Sequence, residues 1–348
     1  MTENTKRITI VGAGIFGLWQ AFLLARSGHR VRVIDQSKEP FADAASQYAG
    51  AMIAPFCEAE SAEPVVRDLG FKAATLWREH YAGLTSNGSL VVAGARDQGE
   101  LKRFARLTQG HETIGAQQIA DLEPDLADRF QTGLFYPDEG HMTTPQALID
   151  LKEMAEAAGA SFMFGSPWPD NLTDEDTDIV IDCRGLGARH ELDTLRGVRG
   201  ERVLIRSHDV TLHRPIRLLH PRHSFYAVPW DDGRVLLGAT LIESEDETPM
   251  TVRSALELLG MAYALHPGFG EAEILELSAG VRPSFPDNIP RVIVRESGRR
   301  IIVNGAYRHG FLLAPMLASV TQNVIAGTLA DHPLLIERPS TCGSSYCR

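Results

Sequence analysis

The sequence predicts an α/β protein in which a domain opening on a βαβ unit is interleaved with an α+β domain built on an antiparallel sheet. Three observations carry this. A buried apolar run, RITIV (7–11), leads through a glycine-rich turn and an apolar helical stretch (15–28) into a second buried run, VRVID (31–35). A second α/β stretch begins at Thr144. Residues 202–241 have a different texture, that of antiparallel strands joined by hairpins.

The elements follow in order. The helix over 15–28 ends at Gly28, a residue suited to the left-handed stop of a helix. Because a helix crosses between them, the strands 7–11 and 31–35 are parallel. EPVVRDLGFKAATLWREHY (63–81) reads as a helix and SLVVAG (89–94) as a strand. PQALIDLKEMAEAAG (145–159) sets Leu148, Ile149, Leu151, Met154 and Ala155 at helical spacing. SFMF (161–164) and DIVIDC (178–183) are strands. RVLIRS, SFYAVPW and RVLLGATL are the antiparallel set, and WDDGR (230–234) carries the Asp-Gly signal of a hairpin turn. SALELLGMAYALHP (254–267) is a helix, RIIVNG (300–305) a strand, and PMLASVTQNVIAGTLA (315–330) a closing helix.

A chain of 348 residues exceeds one comfortable hydrophobic core, so two domains are expected. A net charge of -11 argues against nucleic acid or an anionic membrane as partner, since both need basic patches. The four cysteines, Cys57, Cys183, Cys342 and Cys347, are too scattered for a disulfide framework. Cys342 and Cys347 read as two thiols in a polar tail, and no metal site is expected. The run from Ile8 to Ala25 mimics a signal peptide. Gly12, Gly14, Gly17 and Gln20 interrupt it, and no small-residue cleavage site follows, so a cytoplasmic protein is expected.

VGAGIFG (11–17) fits the pattern G-x-G-x-x-G, with Ala13, Ile15 and Phe16 between and beside the glycines. Gly12 permits a tight turn, Gly14 lets backbone approach a pyrophosphate, and Gly17 lets helix and strand pack closely. Phosphates then sit at the helix N-terminus, where N–H groups and the dipole favour anions. Asp35, followed by Gln36, ends the next strand near the offset of about 20 residues at which a carboxylate meets ribose hydroxyls. A Rossmann-like dinucleotide site is therefore expected. The fingerprint does not choose between FAD and NAD. No second copy of it appears, and Cys57 stands alone, which argues against a disulfide reductase. In AGVRPSFPDNIP (279–290) a guanidinium, Arg282, is held among small and apolar residues before two prolines. It reads either as a surface arginine beside a turn or as a clamp for a planar anion.

Further stretches carry a resemblance. SQYAGAMIAP (46–55) resembles the A-G-G-x-x-x-P segment of glycine oxidases, and DIVIDCRGLGAR (178–189) the strand and glycine turn of D-amino acid oxidases. LRGVRGERVLI, FYAVPWDDGRVLLGAT, AGVRPSFPDNIP and NGAYRHGFLLAP follow in the family's order. The chain resembles the D-amino acid oxidase superfamily over nearly its whole length, and within it the glycine oxidases of thiamine biosynthesis. The resemblance implies a Rossmann-like FAD-binding domain (1–80, 140–205, 280–348) interleaved with an α+β substrate domain on an antiparallel sheet (81–139, 206–279). It implies FAD, bound non-covalently, since no cysteine lies between Cys183 and Cys342 where a related branch attaches its flavin.

Carried over by position, Arg282 grips the substrate carboxylate with Tyr226 beside it. Arg308 belongs to the same active site, and Leu241 falls at an apolar pocket position. Flavin contacts fall on Ser46, Ala49, Gly50, Ala51 and Met52, on Gly185 and Gly187, and on Arg282, Arg308, His309, Gly310, Phe311 and Leu312. The closing helix directs its N-terminus at the ring. Three departures stand out: Ala51 replaces a common glycine, Trp230 an arginine, and Ser278 an aromatic residue. The last two reshape the pocket. The implied activity is oxidative deamination of glycine, sarcosine or a small D-amino acid. A hydride passes from Cα to flavin N5, and O2 reoxidation gives H2O2. A dehydrogenase with a different substrate and a non-oxygen acceptor stays open, as does association of copies. The joint presence of Arg282, Tyr226 and Arg308 argues against a non-catalytic flavin module.

Overall fold

The computed structural model describes residues 5–167, 177–329 and 331–337. The expected thiols Cys342 and Cys347 lie outside them. The chain divides into two compact units, one of residues 1–44, 148–195 and 283–348, the other of 45–147 and 196–282.

The first unit is built on a seven-stranded sheet. Its order is Leu335–Glu337, Arg291–Arg295, Arg300–Asn304, Ile179–Asp182, Arg7–Val11, Arg30–Ile34, Ser161–Met163. Arg7–Val11 is central and parallel to both neighbours, with Ile10 opposite Val33 on one side and Ile181 on the other. Its residues from Ile8 to Val11 are all buried, as an unbroken apolar run in a parallel sheet requires. The crossover helix Ile15–Arg26 packs against the closing helix Gly310–Ile325, and Gln20 donates to Thr321 Oγ1 at 3.1 Å inside that seam. The closing helix starts at Gly310 and ends at Ile325, ahead of the expected 315–330.

The second unit carries an eight-stranded mixed sheet. Its order is Glu273–Ser284, Arg196–Arg206, Arg234–Gly238, Tyr226–Pro229, Ile216–Leu219, Ser89–Ala93, Thr132–Tyr136, Glu112–Gly115. One face buries Val203, Ile205, Ala227 and Leu237 against the helix Val252–Leu265 through Leu258 and Leu265. Alternation sends Gly200, Arg202 and Leu204 to the opposite face, where Leu204, Val228, Trp230 and Leu236 cluster. The hairpin at 230–234 closes as expected: Asp232 and Gly233 have φ of 61° and 69°, and Trp230 donates to the Arg234 carbonyl at 2.8 Å.

Two expectations differ from what is observed. Residues 45–80, 140–147, 196–205 and 280–282 fall in the second unit, where Arg196–Arg206 and Glu273–Ser284 are unbroken neighbouring strands of one sheet. Arg282 lies within the twelve-residue strand Glu273–Ser284, not beside a turn, and backbone pairing along that strand holds it.

Candidate active site

The first unit contains a cradle for an anionic dinucleotide. Gly12 has φ of 97°, and a Cβ there would stand 2.6 Å from the Cys183 carbonyl oxygen. A Cβ on Gly17 would fall 1.9 Å from the Gly12 carbonyl oxygen. Only glycine fits either position, so the turn is as tight as the sequence pattern demands. Helix Ile15–Arg26 follows with Gly14 at its N-cap, no side-chain cap and no acidic residue in its first turn. Helix Gly310–Ile325 likewise starts without a side-chain cap or an early acid, from His309. A Cβ on Gly310 would lie 3.6 Å from Ile15 Cγ2, so the two helix starts adjoin and their positive ends reinforce one another. Asp35 accepts from the Ala13 N–H at 2.7 Å and the Ser37 N–H at 2.8 Å, which fixes its carboxylate at the strand end. Gln36 beside it is exposed.

Gly185 (φ 57°) and Gly187 open the 3-10 turn Gly185–Glu191, and Asn304 Nδ2 donates to the Gly185 carbonyl at 2.9 Å. Arg308 is half-buried in the loop between Arg300–Asn304 and the closing helix. His309, Phe311 and Leu312 are buried there. Tyr307 (φ 46°), whose N–H donates to the Pro283 carbonyl at 2.8 Å, fixes this loop.

The second unit presents a different constellation on the sheet face opposite its main core. Tyr226 stands opposite Gly238 in the hairpin register. A Cβ on Gly238 would meet the Tyr226 ring at 2.6 Å, and one on Gly50 would meet it at 2.9 Å. The phenol thus lies over two glycines, and Gly50 has this neighbour to accommodate. Arg282 lies flat over Gly200, where a Cβ would be 2.0 Å from its Nη2, and its Nη1 reaches the Thr240 carbonyl at 3.5 Å. Thr240 is tied to Glu201, whose N–H donates to its Oγ1 at 2.9 Å. The structure therefore brings Tyr226 and Arg282 to one face, two residues apart in register.

The segment Ser46–Met52 also belongs to this unit. Ser46 lies in the 3-10 turn Ala45–Tyr48, the Ala49 carbonyl accepts from Thr144 Oγ1, and Met52 starts a short strand paired with Gly140–His141. Ala51 has φ of 47°, the left-handed region that glycine tolerates best, which accounts for this departure as a locally costly one. Leu241, expected in a pocket, is 47% exposed.

Arg202, Gly200 and Gly238 escaped the sequence reading. Arg202 is 5% exposed on the face that carries Tyr226 and stands opposite Gly238. Its Nε donates to Ser278 Oγ at 3.0 Å and its Nη2 to Glu276 at 3.3 Å, and its guanidinium packs against the rings of Tyr48 and Trp230. Burial pulls its pKa below the ordinary arginine value against the opposing pull of Glu276. The strand RGVRGERVLIR carries four other charged residues, so no local signal singled Arg202 out. Among the described residues no group of three or more His, Cys, Asp or Glu is placed to hold a metal ion, and no helix is long and apolar enough to cross a membrane.

A βαβ cradle of this kind defines an enzyme that works on a bound dinucleotide. Comparison with known proteins gives the particular family. The model of the FAD dependent oxidoreductase family, DAO, matches residues 7–323, and the chain belongs to that family. FAD is accordingly its cofactor, and the glycine cradle with its two uncapped helix starts fits it. The chain is 49% identical, over 90% of its length and 94% of the other, to a candidate thiamine biosynthesis oxidoreductase, ThiO, of Rhizobium etli. It is 25% identical to a glycine oxidase of Geobacillus kaustophilus, over 91% of this chain and 92% of that one. The crystal structure of glycine oxidase from Geobacillus kaustophilus shares the fold with a TM-score of 0.78 at 22% identity, over 94% and 96% of the two chains.

Proposed function

We propose that this FAD-dependent oxidoreductase oxidises a small amino acid or amine, glycine, sarcosine or a small D-amino acid, and serves thiamine biosynthesis as the name of its Rhizobium relative suggests. The observation that carries the reading is Arg282, laid flat over Gly200 on the face that also presents Tyr226. A planar guanidinium held this way offers two parallel N–H donors to a carboxylate and fixes orientation as well as charge. Tyr226 supplies a hydroxyl to the same carboxylate, and its position over Gly50 and Gly238 limits its rotamers.

Gly12 to Gly17, Asp35 and the start of the closing helix hold the cofactor in this reading, with Gly185, Gly187 and the Arg308–Leu312 segment nearby in the same unit. FAD held by these residues would supply the two-electron acceptor for the substrate hydride, with O2 as the terminal oxidant. The protein's own part is to bind, orient and exclude water, so no dedicated acid or base is required beyond loss of the amine proton. The imine hydrolyses in water to an oxo acid, releasing ammonia from a primary amine and methylamine from sarcosine. Copies of the chain can associate through the edge strand Glu273–Ser284, which exposes Ile274, Leu275 and Leu277, and light scattering reports this.

The test is the visible spectrum of the flavin-loaded protein under anaerobic conditions, before and after glycine, sarcosine and D-proline. Bleaching by at least one supports the reading, and H2O2 release under air identifies O2 as acceptor. Bleaching by none of them, nor by any other amino acid or amine, rejects it. Arg282→Ala weakens the best substrate by about 2–5 kcal/mol while FAD stays bound. An unchanged KM removes Arg282 from its role.

A further inference from the structure

The sheet face of the second unit holds a second guanidinium that the reading above does not use. Arg202 is 5% exposed, and its Nη1 has no hydrogen-bond partner among the described residues. Trp230, 7% exposed, packs against the Arg202 guanidinium, and its Nε1 also lacks a partner. An indole N–H and a guanidinium N–H can only donate, so both call for an acceptor. Buried donors without one call for an explanation, and these two side chains pack together on one sheet face. Glu276 balances the guanidinium from one side only, with its carboxylate 42% exposed, and Ser278 is neutral.

Trp230 and Ser278 flank the second guanidinium, and both touch Arg202. Serine at 278 is small enough to admit the guanidinium, and the indole covers it. Arg202 and Gly200, which underlies Arg282, lie two residues apart on one strand face, so their Cα atoms are about 7 Å apart by the rise of a strand. The two guanidinia therefore belong to one face of the sheet.

We infer that Arg202, with the Trp230 indole N–H, holds a second carboxylate of the substrate, so that the physiological substrate is an acidic amino acid or a dicarboxylic amine. The inference rests on the proposed amine oxidation and specifies its substrate class. Arg282 takes the carboxylate next to the reacting carbon, and Arg202 takes the distal one.

The experiment uses the flavin-loaded protein and two ligand pairs. Binding of succinate and glutarate is followed by the perturbed flavin spectrum and compared with butyrate and valerate. Turnover of iminodiacetate, D-aspartate and D-glutamate is compared with that of sarcosine and D-alanine. The expected wild-type result is preference for the dicarboxylates in both series. Arg202→Met is expected to lower kcat/KM for the dicarboxylic amines by about 100-fold, with sarcosine altered severalfold at most. Trp230→Phe, which keeps the ring and removes the donor, is expected to reduce the preference more mildly. Equal wild-type affinity for mono- and dicarboxylates overturns the inference without any variant having to fold. So does a preference that survives in Arg202→Met. If sarcosine or glycine bleaches the flavin and no dicarboxylic amine does, only the inference fails. If no amine of either kind bleaches it, the proposed function fails and the inference with it.

Discussion

Gly200→Ala tests the geometry of the carboxylate clamp without touching the clamp itself. The backbone at 200 is ordinary strand, so alanine is sterically allowed by its own dihedral angles. The added methyl, however, would stand 2.0 Å from Arg282 Nη2, 2.1 Å from its Cζ and 2.2 Å from Nη1. Ordinary contact begins at 3.4 Å, so the guanidinium must lift by more than about 1 Å from its seat. Two N–H bonds to a carboxylate lose their alignment with a shift of that size. Complete loss of the charge pair would cost about 2–5 kcal/mol, which is about 30-fold to several thousand-fold in affinity. The expected effect of Gly200→Ala is therefore a rise of about 100-fold in the dissociation constant of the best amine. Titration of the flavin spectrum under anaerobic conditions reads this constant, and the same spectrum gives the FAD content, which should stay at the wild-type level. A folded, flavin-loaded Gly200→Ala protein that binds within twofold of wild type would refute the seat of Arg282 on Gly200 or its role as the clamp.

Three further outcomes are expected. Gly12→Ala combines a φ of 97° with a methyl 2.6 Å from the Cys183 carbonyl oxygen. The variant should purify largely free of flavin and melt lower, as the absorbance ratio and a thermal melt would show. Gly260 lies exposed in the helix Val252–Leu265 with nothing within 4 Å of an added Cβ. Gly260→Ala should therefore stabilise by about 0.5–1 kcal/mol in urea titration without changing activity. His141 is 6% exposed, and burial, helped by the Arg214 charge, pulls its pKa from 6.5 down to about 4. The folded state then binds the proton less readily than the unfolded state, so this group's contribution is complete above about pH 6.5 and is lost as pH falls towards 4. At about 1.4 kcal/mol per pH unit the loss reaches about 3 kcal/mol. His141→Asn should flatten the pH dependence of the urea midpoint in that window, and an unchanged slope would contradict the assignment.

Residues whose meaning is local were legible in the sequence. The strand, glycine turn and helix at 7–26 follow from apolar periodicity and from three glycines whose spacing serves one tight turn. Tyr226 and Arg282 could be picked out because their neighbours in the chain resemble a family pattern. What the resemblance could not supply was the reason those side chains hold their places. Gly200 and Gly238 are ordinary strand glycines until the partners of their strands are known, and only then does one prove to be the floor beneath Arg282 and the other the floor beneath Tyr226.

Arg202 shows the same limit more sharply. In sequence it is one arginine within RVLIRS, and nothing local separates it from Arg206, which is half-buried on the same strand and reaches Glu273. Burial beneath Trp230 and beside Ser278 depends on residues 28 and 76 positions away, brought near by sheet order alone. The stretch AGVRPS gave a similar ambiguity, because prolines suggest a turn, whereas pairing at the sheet edge made it a strand. The sequence by itself thus determined the glycine turn between strand and helix, because its pattern lies within seven residues, and the family, because its motifs recur in order along the chain. The tertiary structure decided the unit boundaries, the glycine seats and the second buried guanidinium, because each depends on which strands lie side by side, and strand pairing is a long-range choice that no short stretch encodes.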